Sequence, residues 1–178
     1  MQNPNAYHYF EKRRGPFRNL SSLTVAEAEA VSQQIRQQGR IFASQRSSDY
    51  MIIRRELEQL AYDKFTAKGG RPLQTYPQYM TLGRCNWLES WYVDPEYVNI
   101  PWEELPAEVV SFTYGDLFPT MRYEDSKPYR KQVYTKDEII ELIRIYGLPQ
   151  EWNAAGEQGP ERYIEVQIWD NRVVRTYR

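Results

Sequence analysis

A regular alternation of apolar and polar side chains runs through residues 163–169 and constrains the fold more than any other stretch of the chain. Successive side chains of a β-strand point to opposite faces of a sheet, so this segment predicts a strand with two chemically different faces. One face carries Ile164, Val166 and Ile168, and the other carries Tyr163, Glu165, Gln167 and Trp169. The second face is either a wet surface or the floor of a cleft where a carboxylate and an amide meet a ligand between two aromatic rings.

Three other segments, 24–38, 48–68 and 135–148, combine helical spacing of apolar residues with start and stop signals. Two of them begin with a capping box, in which a hydroxyl and a carboxylate satisfy each other's backbone amides. The boxes pair Thr24 with Glu27 and Thr135 with Glu138. In the segment 48–68, Arg54 and Glu58 form an i,i+4 pair that suits a solvated helix face. These signals predict three helices.

Shorter strand candidates occur at 7–10, 79–82, 109–114 and 132–134, with an additional candidate at 40–43. The predicted helices come early and late in the chain and do not follow each strand, which favours an α+β fold over a doubly wound parallel sheet. We expect one domain over residues 1–178, with a largely antiparallel or mixed sheet packed on one side by about three helices. An irregular, aromatic-rich excursion is expected around 76–106.

The residue counts exclude several classes of site. His8 and Cys85 are the only histidine and cysteine, so an intrachain disulfide, a two-histidine zinc site, an HExxH protease and a Cys/His zinc finger are impossible, and no metal is expected. No Walker A, GxGxxG or GxSxG spacing occurs. No apolar run approaches the length of a membrane span, and residues 1–20 lack the apolar centre of a signal peptide. We therefore expect a soluble, cytoplasmic protein.

The net charge of −1 hides an asymmetry along the chain. Residues 1–71 contain 12 Lys and Arg against 7 Asp and Glu, whereas the remainder contains 11 against 17. The basic part is expected to attract an anion such as a phosphate, and the acidic part argues against a nucleic acid as partner. Alternatively, the two oppositely charged parts dock on each other.

Basic and small polar residues flank the predicted helix at 48–68. Arg46 and Ser48 lie at its start, where unpaired amides and the positive end of the helix dipole favour an anion. Lys68 and Arg71 enclose two glycines at its end. These four residues are candidates for ligand binding, although the serine and the glycines also suit plain helix caps.

Aromatic residues are frequent in the excursion around 76–106. They are Tyr76, Trp87, Trp91, Tyr92, Tyr97 and Trp102. Exposed rings would stack on a base or a sugar or would dock another protein, whereas buried rings would fill the core. The predicted strands contain no aromatic run of the kind that binds RNA, which argues against that partner.

A further set of polar residues lies on the predicted strands or at their ends. Candidate catalytic residues are His8, Tyr114 and Glu165, and candidate ligand-binding residues are Asp116 and Gln167. A glutamate held between two aromatic residues would have its pKa raised by desolvation, or its charge would stabilise a cation. The alternatives are a solvent-washed strand face and a cross-strand ion pair.

Part of this set resembles ADP-ribosyltransferases of the His-Tyr-Glu kind. The resemblance rests on the early "AYHYF", on "FRNLSSL" after it and on the late "YIEVQIW". It implies that His8 grips the nicotinamide ribose, that a tyrosine stacks on the ring and that Glu165 stabilises the developing oxocarbenium ion. Either Tyr114 or Tyr79 would supply the tyrosine.

Three functions remain open from the sequence, and no cofactor is identified. The first is binding of an anionic or nucleotide-like ligand, with or without catalysis. It predicts that Glu165 and the basic residues meet in one concavity. The second is an enzyme that resembles the ADP-ribosyltransferases. The third is a protein–protein interaction domain, which predicts a flat, exposed patch of Trp and Tyr side chains.

Overall fold

A computed structural model describes residues 3–39 and 46–177 and contains a five-stranded antiparallel sheet with helices on both faces. The strands are β1 Ala6–Glu11, β2 Gln78–Leu82, β3 Pro95–Ile100, β4 Val110–Thr113 and β5 Ile164–Ile168. The helices are α1 Val25–Gln38, α2 Tyr50–Ala67, α3 Asn86–Glu89, α4 Leu117–Arg122, α5 Lys136–Tyr146, α6 Pro149–Trp152 and α7 Asn171–Arg175, with 3₁₀ turns at Leu20–Ser22 and Trp102–Glu104. The expected α+β class is confirmed.

The strand order β3-β1-β2-β5-β4 places β5 between β2 and β4. Glu165 lies between Thr81 of β2 and Thr113 of β4 in the antiparallel register. Tyr7 of β1 pairs with Thr81 and continues the same row. The polar side of the alternating segment is therefore flanked by strands on both edges.

The apolar side of β5 faces the larger hydrophobic core. Ile164, Val166 and Ile168 are fully buried there with Phe112 of β4. Helix α5 contributes the fully buried Ile139 and begins with the capping box read from the sequence. The other predicted helices also form with small changes at their ends, over α1 and α2.

The polar side of the sheet is covered as well, by α2 and α4. Leu57, Ala61 and Phe65 of α2 pack in a second core with Leu117 and Met121 of α4 and with Trp169 and Val133. The sequence alternation predicts a sheet that is open on one side, but Ser111 and Thr113 of β4 are fully buried. Hydrogen bonds between side chains satisfy this layer, which allows polar residues to lie under a helix without contact with water.

Two segments differ from the strand predictions. The candidate at 132–134 makes only an isolated bridge, from Tyr134 to Phe112, because the chain leaves the sheet to start α5. The excursion around 76–106 contains β2, which the candidate at 79–82 predicted, and β3, for which no strand was predicted. Strand β3 lacks a clear signal because it begins with Pro95 and Glu96, which are rare in strands. The candidate at 40–43 lies outside the described residues.

Candidate functional site

A buried carboxyl group lies at the centre of a polar network on the covered side of β5. Glu165 is 5% exposed, and its Oε1 accepts a hydrogen bond from Gln167 Nε2 at 3.0 Å. Polar residues from α2, β2 and the start of α4 surround it. These residues, the Glu165 cluster, are Arg54, Glu58, Tyr79, Asp116, Tyr163, Glu165 and Gln167.

The surroundings of Glu165 favour its protonated form. Burial raises the pKa of Glu165 well above its ordinary value, and the nearby Asp116 carboxylate raises it further. Hydrogen bonds from Gln167 and from the Leu117 backbone amide act in the opposite direction, as does the charge of Arg54. Glu165 therefore keeps its proton to a higher pH than an ordinary glutamic acid, and a neutral carboxyl group can donate a hydrogen bond.

Asp116 is half-buried and held by two hydrogen bonds. It caps α4, since the Phe118 backbone N–H donates to its Oδ1 at 2.8 Å. The Tyr163 hydroxyl donates to its Oδ2 at 2.9 Å. Burial, and then the charge of Asp116, raises the pKa of Tyr163 well above its ordinary value, so this hydroxyl stays a donor. The Asp116 carboxylate is thus fixed beside Glu165.

Arg54 and Glu58 form a buried ion pair, which corrects the solvated pair predicted from their spacing. They are 9% and 2% exposed, and Arg54 Nε donates to Glu58 Oε1 at 3.0 Å. The Ser21 and Tyr79 hydroxyls donate to the same oxygen, each at 2.8 Å. Arg54 Nη2 donates to Asn19 Oδ1 at 2.8 Å. These partners come from distant parts of the chain, so local sequence spacing contains no signal for them.

Half-buried aromatic and cationic side chains lie next to this ion pair. The Arg46 guanidinium is 4.3 Å from the centre of the Tyr50 ring, and that ring stacks on Phe118 with 4.9 Å between centroids. Arg54 Nη1 donates to the Tyr50 hydroxyl at 3.2 Å. The Tyr92 hydroxyl interacts electrostatically with Arg46, Tyr50 and Arg54. We call Arg46, Tyr50, Tyr92 and Phe118 the rim of the Glu165 cluster.

His8 does not join Glu165. Its neighbour Tyr7 shares a row with Thr81 and Glu165, and because side chains alternate, His8 points to the opposite face. There it stacks on Phe17 with 4.3 Å between ring centroids. The structure therefore separates the two residues that the resemblance to ADP-ribosyltransferases would bring together.

Both ring nitrogens of His8 are occupied by the backbone. Nδ1 lies 2.9 Å from the Tyr79 carbonyl oxygen, and Nε2 accepts from the Phe17 N–H at 2.9 Å. A carbonyl accepts only and an amide N–H donates only, so this pattern requires the neutral ring with its hydrogen on Nδ1. Burial lowers the pKa of His8 to about 4, against the opposing effect of its bond to Tyr79.

His8 should make the protein less stable in mild acid. Its folded-state pKa lies below the unfolded value of 6.5, so its contribution is complete above pH 6.5 and is lost as the pH falls toward about 4. We expect this contribution to the free energy of unfolding to fall by about 2–3 kcal/mol over this range. The measurement is urea unfolding, with the value for the His8→Gln variant subtracted from that of the wild type at each pH. The subtraction is needed because the raised pKa of Glu165 makes the folded protein more stable as the pH falls, which opposes the effect of His8. An unchanged difference between pH 4 and pH 7 would contradict the prediction.

Tyr114 also lies away from Glu165, in the apolar core. Its hydroxyl donates to the Gly147 carbonyl at 2.8 Å and accepts from Trp152 Nε1 at 3.2 Å. Burial raises the pKa of Tyr114. Both contacts connect the end of β4 to the turn after α5 and to α6, so the Tyr114 hydroxyl holds these elements together.

The four basic and polar residues around α2 do not converge. Arg46 and Ser48 precede the helix and Lys68 and Arg71 follow it, and its 18 residues span about 27 Å. Lys68 Nζ is bound by Glu138 at 2.9 Å. Arg46 and Ser48 line a cavity of about 10 Å³ between α1 and α2, which has room for one water molecule. Of the four, only Arg46 lies at the rim of the Glu165 cluster.

The aromatic residues of the excursion around 76–106 mostly pack inward. Trp102 is buried, and Tyr76, Trp87, Trp91 and Tyr92 are half-buried, whereas Tyr97 is 44% exposed. Within residues 3–39 and 46–177, no group of three or more His, Cys, Asp or Glu side chains could hold a metal ion. In the same part of the chain, no helix is long and apolar enough to cross a membrane.

No protein-family model, curated protein or solved structure matches this chain.

Proposed function

We propose that the protein binds a small anionic, nucleotide-like ligand at the Glu165 cluster. The Arg46 guanidinium contacts the anionic group, the rings of Tyr50, Tyr92 and Phe118 contact the planar part, and the Glu165 carboxyl donates a hydrogen bond to an acceptor on the ligand.

The observation that carries this proposal is the carboxyl pair of Glu165 and Asp116 with a raised pKa at Glu165. Strongly perturbed carboxyl groups next to specific charge partners concentrate at functional sites, because binding and catalysis need groups whose pKa values are shifted by burial and nearby charges. Within residues 3–39 and 46–177, the hydrogen bonds to Glu165 come from amides, and no cationic side chain forms an ion pair with it. A ligand acceptor would complete the hydrogen-bonding capacity of its proton.

The charge and shape of the rim support the choice of ligand. Arg46 is half-buried and already oriented over the Tyr50 ring, and a guanidinium binds a phosphate through two parallel N–H groups. The Tyr50 and Phe118 rings stack on each other next to it, so a planar group would contact the edges of this pair or the outer face of Phe118. This combination fits a planar ring that carries a phosphate.

The test is a thermal-shift screen of the purified protein against adenine and guanine nucleotides, NAD, sugar phosphates and inorganic phosphate. A ligand at 100 times its dissociation constant stabilises the folded state by about 2.7 kcal/mol, or roughly 5–10 °C for a chain of this size. Arg46→Gln should weaken the binding about tenfold or more, because it removes a charged contact. Arg144→Gln is the matched control, since that arginine is exposed on α5.

The outcomes separate the three functions left open by the sequence. Stabilisation that Arg46→Gln abolishes and Arg144→Gln preserves supports the proposal. Stabilisation by NAD alone would favour an enzyme of the ADP-ribosyltransferase kind. A panel without any stabilising compound contradicts the proposal and leaves the interaction domain.

A further inference from the structure

Gln167 has no N–H donor left for a ligand. The residue is fully buried, and its Oε1 accepts from the Ser111 hydroxyl at 2.9 Å. Its Nε2 donates to Thr113 Oγ1 and to Glu165 Oε1, each at 3.0 Å. A primary amide has two N–H donors, and both are used. A role as hydrogen-bond donor to a ligand would require one of the two N–H bonds to break.

The orientation of the Gln167 amide is determined at both ends of a hydrogen-bond chain. At one end, the Trp169 indole N–H, which can only donate, bonds Ser111 Oγ at 2.8 Å and leaves the serine hydrogen for Gln167. At the other end, the Thr113 hydroxyl donates to the Gly115 carbonyl at 2.8 Å, so Thr113 can only accept from Gln167. Reversing the amide would place two acceptors together at Thr113.

This one-way chain leads to Glu165. We propose that Gln167 is a positioning residue, an inference that rests on the proposed function. It holds Oε1 of the Glu165 carboxyl group, so that the acidic proton lies on Oε2. The Oε1 atom receives an N–H from Gln167 and acts as the carbonyl oxygen of the acid. The Oε2 atom is then the one that presents a proton to the ligand.

The charged and titratable groups around Glu165 come from three elements. Asp116 approaches from the start of α4, Arg54 from α2, and the Tyr79 and Tyr163 hydroxyls from the sheet. None of them belongs to the chain from Trp169 through Ser111 to Gln167. Changes in that chain therefore act on Glu165 through one hydrogen bond.

The test is an NMR titration of the ligand-free protein that follows the Glu165 side-chain carboxyl carbon and the Gln167 side-chain amide. In the wild type, both signals should change with a single midpoint, because the amide bonds the group that ionises. Gln167→Met keeps the size of the side chain but removes the donor, and should raise the midpoint of Glu165 by roughly one pH unit. Arg144→Gln is the control, since that arginine is exposed on α5 and lies outside the hydrogen-bond chain.

Two results would overturn the assignment. One is a Gln167 amide whose signals do not follow Glu165 in the wild type, which remains decisive even if Gln167→Met fails to fold. The other is a folded Gln167→Met protein in which Glu165 titrates as in the wild type and in Arg144→Gln. The titration uses no ligand, so its result is independent of the ligand screen and each proposal can fail alone.

Discussion

Replacing Arg54 by Met should lower the free energy of unfolding by about 3–5 kcal/mol, since it leaves the Glu58 carboxylate buried without its cationic partner. The ion pair is buried, with Glu58 only 2% exposed. The other hydrogen bonds to the Glu58 carboxylate come from the Ser21 and Tyr79 hydroxyls. Neutral hydroxyls cannot replace the charge of a guanidinium in a poorly solvated place. Equilibrium unfolding in urea at pH 7 measures the effect.

Two further variants test the cause of this loss. Arg144→Met breaks an exposed ion pair with Glu141 and should change the stability by less than about 1 kcal/mol. The double variant Arg54→Met with Glu58→Gln should be more stable than Arg54→Met alone, because no unpaired charge remains. A loss in Arg54→Met no greater than in Arg144→Met would refute the buried pair.

Replacing Phe112 by Ala should cost about 3–5 kcal/mol, because it opens a cavity in the larger core. Phe112 is fully buried in β4, and its ring lies 5.8 Å from that of Trp102. Its backbone also pairs with Tyr134, so the chain on both sides is held and cannot collapse into the space. Urea unfolding again supplies the measurement.

The controls for Phe112 separate volume from position. Phe112→Leu retains most of the volume and should cost clearly less than Phe112→Ala. Ile145→Ala removes an apolar side chain that is 70% exposed and should change the stability by less than about 0.5 kcal/mol. Equal losses in Phe112→Ala and Ile145→Ala would show that Phe112 is not part of the core.

The helices were predictable because their limits depend on neighbouring residues. Thr24 with Glu27, and Thr135 with Glu138, form the capping boxes that the sequence indicated. The central strand was predictable for a similar reason, since its alternation reports two faces directly. Strand β3 was missed because its stability comes from pairing with β1 and not from its own residues.

The candidate site was predicted only in part. The alternation identified Glu165 and Gln167 as neighbours on the polar face, and Asp116 joins them in the structure. Arg54 and Tyr163 were not selected as site residues, and Tyr79 was named only as an alternative to Tyr114. Arg54 and Tyr79 meet Glu58 through the packing of α2 on the sheet, and Tyr163 meets Asp116 at the start of α4. His8 was separated from Glu165 by the pleat of the sheet, which the early segment alone does not reveal.

The sequence by itself determined where helices begin and end and which residues of β5 share a face, because capping and alternation act over a few bonds. Only the tertiary structure decided that the polar face of β5 is covered by α2 and α4, and that Glu165 and Arg54 lie beneath them. The free energy of a buried polar group depends on the partners that surround it, and those partners come from segments far apart in the chain. The same polar alternation would describe a wet strand in another protein.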